Sequence, residues 1–211
     1  DMNNNQVIIG GSGRGKGFRV IYPNVTNCHG AYVITDAKGD TLRSIGNYME
    51  QERYHVRVLN LIDFTRSLHY NPFAYLQEEE DVSVLVDNIM ANTKGSDRIS
   101  GDQFWEDGPK MLLVSIFDYV WFECSKSEQN WTSVFKYLDM VTVSDEKNEY
   151  ERILDYLETS SEFGSGHPAV KNYKIFLNGA QETMQSILAI LYARLQCFRL
   201  EKVQWLMSYD E

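Results

Sequence analysis

The sequence predicts an α/β fold, in which a parallel sheet with crossover helices is followed by a larger all-helical region. Apolar, β-prone runs alternate with helical segments over the first 62 residues. Five or more amphipathic stripes with helical spacing follow after residue 74. The chain has 211 residues, of which 43% are hydrophobic, so it can bury a core of this size.

A glycine-rich turn follows the first predicted strand, residues 6–9. Residues 10–17, GGSGRGKG, fit the phosphate-binding pattern G-x-x-x-x-G-K-[ST] at every defined position except the last, which is Gly17. Glycine permits positive φ, so backbone N–H groups can point into the loop, and Lys16 can reach the outer phosphates of a nucleotide. A helix that starts near Lys16 would add its positive end. The candidate ATP-binding residues are Gly10, Gly11, Ser12, Gly13, Arg14, Gly15, Lys16 and Gly17, and Lys16 is also the candidate catalytic lysine.

The predicted sheet contains two further strands, residues 31–35 and residues 55–62. A short helix that ends at Pro23 precedes the second strand, and a helix capped by Asp40 precedes the third. This order favours right-handed crossovers between parallel strands, whose carboxyl ends form the usual ligand site. Asp36 directly follows the second strand. A carboxylate at such a position is typical of the acid that orders Mg²⁺ in nucleotide hydrolases, so Asp36 is a second candidate catalytic residue.

The pattern changes at Asn71-Pro-Phe73, and helical stripes dominate from there. Predicted helices contain residues 82–90, 104–124, 131–138, 150–157 and 184–195, and Pro168 suits the first turn of another. The stripes contain the aromatic residues Trp105, Trp121, Trp131 and Tyr150. Side chains at this spacing are predicted to be core rather than a platform for nucleic-acid bases.

Charge and cysteine usage indicate which partners and which redox compartment suit this chain. The net charge is −10, and residues 78–162 alone carry 20 Asp/Glu against 7 Lys/Arg. This acidity either attracts basic partners or forms an ordinary solvated helical surface. Three widely spaced cysteines indicate a reducing compartment and no disulfide framework, and we assign no structural metal. No signal peptide or membrane-spanning run is found in the chain.

Several motifs occur in register along the chain. They are VIIGGSGRGKG at 7–17, Tyr22-Pro-Asn24, VITDAKGD at 33–40, VRVLNLID at 56–63, YNPF at 70–73, Asp102-Gln-Phe-Trp105, the stripe at 186–198 and LMSYDE at 206–211. Together they cover essentially the whole chain. The sequence resembles the type IV coupling proteins of bacterial conjugation and type IV secretion, in their TraG-like branch.

The resemblance implies a partial RecA-like P-loop ATPase with an inserted all-α domain. Residues 1–73 would form the nucleotide-binding part with its Walker A loop, residues 74–194 the insert, and residues 195–211 a return segment. Such proteins are membrane-anchored homohexamers on the cytoplasmic face of the cell membrane, and they use ATP and Mg²⁺. They deliver single-stranded DNA with its relaxase and accessory proteins to the secretion channel, and the insert is expected to dock the proteins.

The resemblance also implies elements that these 211 residues do not contain. They are a membrane anchor before the loop and an apolar strand with Asp-Glu, the Walker B acid, after the insert. We therefore interpret the chain as a soluble piece that hydrolyses little or no ATP alone, and Asp36 as either near the metal or part of a separate motif. The alternatives are a non-hydrolysing docking module and a DNA translocase of another P-loop branch.

Overall fold

The computed structural model describes residues 5–11, 13–93, 104–144, 146–178 and 181–211, without the side chains of residues 104–106, 181 and 182. The chain divides into two compact units, Asp1–Val58 and Leu59–Glu211. We call them the N-terminal unit and the C-terminal unit.

The predicted parallel sheet is not found, and the prediction of an α/β, partial RecA-like fold is wrong. Within the described residues, the segments 6–9, 31–35 and 55–62 form no strand, and the fold is all-α. A parallel sheet buries both of its faces, whereas these segments expose their apolar side chains. The most exposed are Val7 (88%), Ile9 (92%), Val33 (104%) and Ile62 (83%). A β-prone segment becomes a strand only beside a neighbour that completes its hydrogen bonds, and these segments have no such neighbour in the described part of the chain.

The N-terminal unit contains helical segments around a small core. A π-helical turn, Gly17–Ile21, continues directly into α1, Tyr22–Thr26, and α2, Asp40–Gln51, packs against α1. Pro23 lies in the first turn of α1 instead of ending the helix, because the first turn makes little use of its N–H groups. Val25 and Met49 are the buried hydrophobic side chains among the described residues of this unit.

The C-terminal unit is a helical bundle built around α4. Its helices are α3 (Glu79–Asn92), α4 (Phe104–Glu123), α5 (Trp131–Asp139), α6 (Glu149–Ser160), α7 (Pro168–Leu177), α8 (Gln181–Leu195) and α9 (Glu201–Leu206). Helix α4 packs against α3, α5, α7 and α8, and most extensively against α7. Its fully buried apolar side chains are Leu112, Leu113, Ile116, Phe117 and Val120. No helix within the described ranges has the length and apolar character that a membrane crossing needs.

The helical stripes predicted from the sequence are confirmed in this bundle. Trp131 and Tyr150 are buried and Trp121 is half-buried, as expected for core residues, and the side chain of Trp105 lies outside the described residues. Pro168 occupies the first turn of α7, as predicted. The helices were predicted correctly because helical hydrogen bonds are local, so the spacing of apolar side chains is enough to define the buried face.

Two segments that are far apart in the sequence, residues 69–75 and residues 205–211, lie together in the C-terminal unit. The Asn71 backbone N–H donates to Asp210 Oδ1 at 3.1 Å, and the Tyr75 hydroxyl donates to Asp210 Oδ2 at 2.9 Å. These charge-assisted bonds hold the segment before α3 against the residues after α9. The two ends of the helical bundle therefore lie close together.

Candidate functional site

The glycine-rich loop, residues 10–17, lies directly before the first helical segment of the N-terminal unit. Gly13 and Gly15 have φ of +71° and +76°, in the left-handed region that glycine tolerates best. Lys16 already has helical backbone angles, φ −54° and ψ −46°, and precedes the π-helical turn. The first N–H groups of a helix have no partner within it, so they are available to a ligand of the loop. Of the eight candidate binding residues, Ser12 lies outside the described residues.

The Lys16 side chain folds back onto the start of its own loop. Its Nζ donates to the carbonyl oxygen of Gly11 at 2.8 Å and also to that of Gly10. The two carbonyls are neutral acceptors, and a hydrogen bond from an ammonium group to an anion is stronger. An anion in the loop therefore has an advantage over the carbonyls as a partner for Lys16.

Two arginines lie against the glycine backbone of the same loop. A Cβ atom added at Gly11 would lie 3.6 Å from Arg14 Cγ, and one added at Gly15 would lie 3.6 Å from Arg19 Nε. None of the ion pairs among the described residues includes Lys16, Arg14 or Arg19. Lys16 Nζ and Arg19 Nε thus lie beside the loop backbone, and all three basic side chains lack a carboxylate partner in the described chain.

Arg19 was not among the candidate residues from the sequence, although a signal was present. Its backbone N–H donates to the Gly15 carbonyl at 2.8 Å, so Arg19 lies one helical turn after the glycine that it covers. A basic residue four positions after a loop glycine, at the start of a helix, predicts this placement.

Asp36 caps α2. Its carboxylate accepts backbone N–H groups from Asp40 at 3.1 Å, Thr41 at 2.9 Å and Leu42 at 3.1 Å. The expectation that Asp40 caps this helix is corrected, because Gly39, at φ +68°, is the N-cap residue and Asp36 supplies the acceptor. No hydrogen bond or ion pair among the described residues joins Asp36 to the glycine-rich loop.

Within the described residues, no group of three or more His, Cys, Asp or Glu side chains is arranged to hold a metal ion. At position 17, where phosphate loops carry a Mg²⁺-binding hydroxyl, this chain has glycine. Position 17 therefore supplies no side-chain ligand for Mg²⁺.

In the C-terminal unit, the interface between α4 and α7 contains two buried titratable side chains. Asp118 is 1% exposed, accepts a hydrogen bond from Asn172 Nδ2 at 2.9 Å, and has no described partner for its Oδ1 atom. Burial raises the pKa of Asp118 to about 7, against the lowering effect of Asn172. The sequence showed only an aspartate inside an apolar run, which does not reveal the partners of its carboxylate.

His167 is fully buried at the start of α7. Its Nδ1 accepts the Ala169 backbone N–H at 3.2 Å, so the ring proton of the neutral form lies on Nε2, which is 3.2 Å from Glu123 Oε1 on α4. Burial lowers the pKa of His167, and Glu123 opposes this shift. Both titratable groups lie where α7 packs against α4, and both belong to the C-terminal unit.

Comparison with known proteins gives one match. The model of a protein family described as Type IV secretory system Conjugative DNA transfer matches residues 2–211. The comparisons with curated proteins and with solved structures gave no match. The family match includes the glycine-rich loop and the helical bundle alike.

Proposed function

The chain belongs to the type IV secretory system conjugative DNA transfer family, and from this premise we propose that its glycine-rich loop binds the phosphates of ATP. The observation that supports the proposal best is the arrangement of Lys16, Arg14 and Arg19 against the glycine backbone without carboxylate partners in the described chain. Positioning and neutralisation of charge dominate phosphoryl transfer, and these are the contributions that such a loop makes.

The residues present fit a nucleotide polyphosphate. Lys16 would bind the outer phosphates once it exchanges the carbonyls of Gly10 and Gly11 for anionic oxygens. Gly13 and Gly15 provide the positive φ that exposes backbone N–H groups on the concave side of a loop. When bound, ATP would supply the energy of phosphoryl transfer, and the chain would hold and orient its phosphates.

Within the family's role in conjugative DNA transfer, we propose that the C-terminal unit docks the relaxase and its accessory proteins. Residues 78–162, which carry the excess of carboxylates, belong to this unit, and exposed acidic side chains line the first turns of α3 and α6. A negative surface of this kind attracts basic proteins and repels the phosphate backbone of DNA. In the full assembly that we propose, a hexamer of the whole protein at the membrane passes the relaxase and its single-stranded DNA to the secretion channel.

The loop proposal predicts that Lys16→Ala weakens ATP binding by tenfold to roughly a hundredfold, the usual value of a charge-assisted hydrogen bond. Isothermal titration calorimetry on the whole chain measures this change. Lys38→Ala is the matched control, because Lys38 is an exposed lysine of the same unit outside the loop. Equal affinities of the wild-type chain and Lys16→Ala would contradict the proposal.

The docking proposal predicts that the chain binds purified relaxase or accessory protein with an affinity that falls as salt rises, because exposed charges are screened. Calorimetric titrations at low and at high salt test this dependence. A neutral or acidic protein of similar size serves as the control. Absence of binding at low salt, or affinity that does not change with salt, would refute electrostatic docking.

A further inference from the structure

An aromatic and acidic surface lies around Trp205 in the C-terminal unit, and we propose that it binds arginine side chains of the docked protein. This inference rests on the proposed docking function and names the place and the kind of side chain that the unit recognises. The surface consists of Ile62, Asp63, Glu201, Trp205 and Tyr209, and we call it the Trp205 surface. All of these residues belong to the C-terminal unit.

A groove of about 450 Å³ lies beside Trp205. Its lining comes from residues 62–65 and, on α9, from Glu201, Lys202 and Trp205. Ile62 is largely exposed, so the groove offers an apolar side chain as well as the tryptophan ring. Exposed apolar and aromatic side chains that line a groove are typical of a surface that contacts another protein.

Trp205 and Tyr209 present part of their rings to solvent, and each side chain is 49% exposed. Both rings pack on the buried ring of His69. The centroid of Tyr209 lies 3.8 Å from that of His69 in a stacked arrangement, and the centroid of Trp205 lies 4.3 Å from it in an edge arrangement. These contacts hold the two rings in place, so binding does not have to order them. A guanidinium group is planar and weakly hydrated, and it stacks on aromatic rings of this kind.

The groove also contains carboxylates beside the tryptophan. Glu201 lies one helical turn before Trp205 on α9, and Asp63 lines the same groove. None of the ion pairs among the described residues includes Glu201, whereas Asp63 pairs with Arg66 at 3.5 Å. An arginine in the groove would therefore contact a ring and a carboxylate together, and charge-assisted hydrogen bonds of this kind are the strong ones.

Further carboxylates lie beside Tyr209. Its hydroxyl donates to Glu211 Oε1 at 3.5 Å, and Asp210 is the next residue in the chain. The carboxylates on and beside the Trp205 surface thus outnumber its cations, Lys202 and Arg66. They are Asp63, Glu201, Asp210 and Glu211. This excess of negative charge favours a cationic partner and repels an acidic one.

The test is fluorescence anisotropy of the whole chain with a short labelled peptide in which arginine alternates with glycine. We expect Trp205→Ala to weaken binding about fivefold, the value of one exposed cation–π contact, and Trp205→Phe to weaken it less because an aromatic ring remains. Tyr156→Ala is the matched control, because Tyr156 is an exposed aromatic residue on α6, outside the Trp205 surface. Equal affinities of the wild-type chain and Trp205→Ala would overturn the inference.

Two further measurements separate ring contact from simple attraction of charge. Glu201→Gln removes one exposed charge and keeps the shape of the side chain, and we expect it to weaken binding about twofold. A peptide with lysine in place of arginine should bind more weakly, because an ammonium group does not stack on a ring as a guanidinium group does. Equal affinities for the two peptides would show that charge alone attracts them, and the arginine assignment would be wrong.

The outcomes also separate this inference from the docking proposal. If the arginine peptide binds the wild-type chain and Trp205→Ala equally, with an affinity that falls as salt rises, electrostatic docking stands and the Trp205 surface does not. If purified relaxase binds and the arginine peptide does not, the inference alone is overturned. If neither binds at low salt, both proposals fail.

Discussion

Replacement of Trp131 by alanine is expected to lower the free energy of unfolding of the C-terminal unit by about 4 kcal/mol, the usual cost of deleting a buried large aromatic side chain. Trp131 is 1% exposed. Its ring stacks on Phe198 with centroids 4.2 Å apart and meets the edge of Phe117 at 5.5 Å. Alanine would leave a cavity where α4, α5 and the segment after α8 meet. Urea unfolding followed by circular dichroism measures the change.

Two variants separate the effect of the cavity from other effects of the substitution. Trp131→Phe keeps an aromatic ring and removes the indole N–H, which has no acceptor among the described residues, so its cost should be well below that of alanine. Trp205→Ala removes a tryptophan that is 49% exposed, and about 1 kcal/mol is expected. Similar losses for Trp131→Ala and Trp205→Ala would contradict the assignment of Trp131 to the centre of the core.

The position of Trp131 shows what sequence alone can predict in this chain. Its stripe, with Val134, Phe135 and Leu138, has spacings of three and four, which define both a helix and its buried face. The strand predictions lacked this advantage. Residues 31–35 are apolar and β-prone, yet Val33 is fully exposed, because a strand needs a partner that the local sequence cannot specify.

The glycine-rich loop and Asp36 differ in the same way. Gly13 and Gly15 have the positive φ that the sequence predicts for glycines in such a loop. The sequence identified Asp36 as a notable carboxylate but not its partners, because the capping contact depends on the turn at Gly39. The sequence does not identify Asp118 and His167 as buried titratable groups with partners, because those partners are brought close only by the packing of α7 on α4.

Asp118→Asn is expected to stabilise the C-terminal unit at alkaline pH. The folded-state pKa of Asp118 is about 7, against an ordinary value of 3.8, because burial penalises the carboxylate. A carboxyl with a raised folded pKa contributes stability below its unfolded pKa and loses it as pH rises through the folded pKa. Asparagine keeps the shape and can still accept the hydrogen bond from Asn172 without carrying a charge. The pKa rises by about 3 units, from 3.8 to about 7, so at about 1.4 kcal/mol for each unit the expected gain at pH 8 is roughly 4 kcal/mol.

The pH profile of the difference between variant and wild type isolates Asp118 from other groups. His167, whose pKa is lowered by burial, contributes stability that is lost as pH falls through its folded pKa, but this contribution is common to both chains and cancels. The difference should be small near pH 4, grow as pH rises towards 7, and level off above it. Asp155→Asn is the control, because Asp155 is 49% exposed and paired with Lys147, so less than about 1 kcal/mol is expected at any pH. A difference for Asp118→Asn that does not vary with pH would mean that Asp118 is ionised in the folded protein throughout this range, and that water or another donor satisfies its second oxygen.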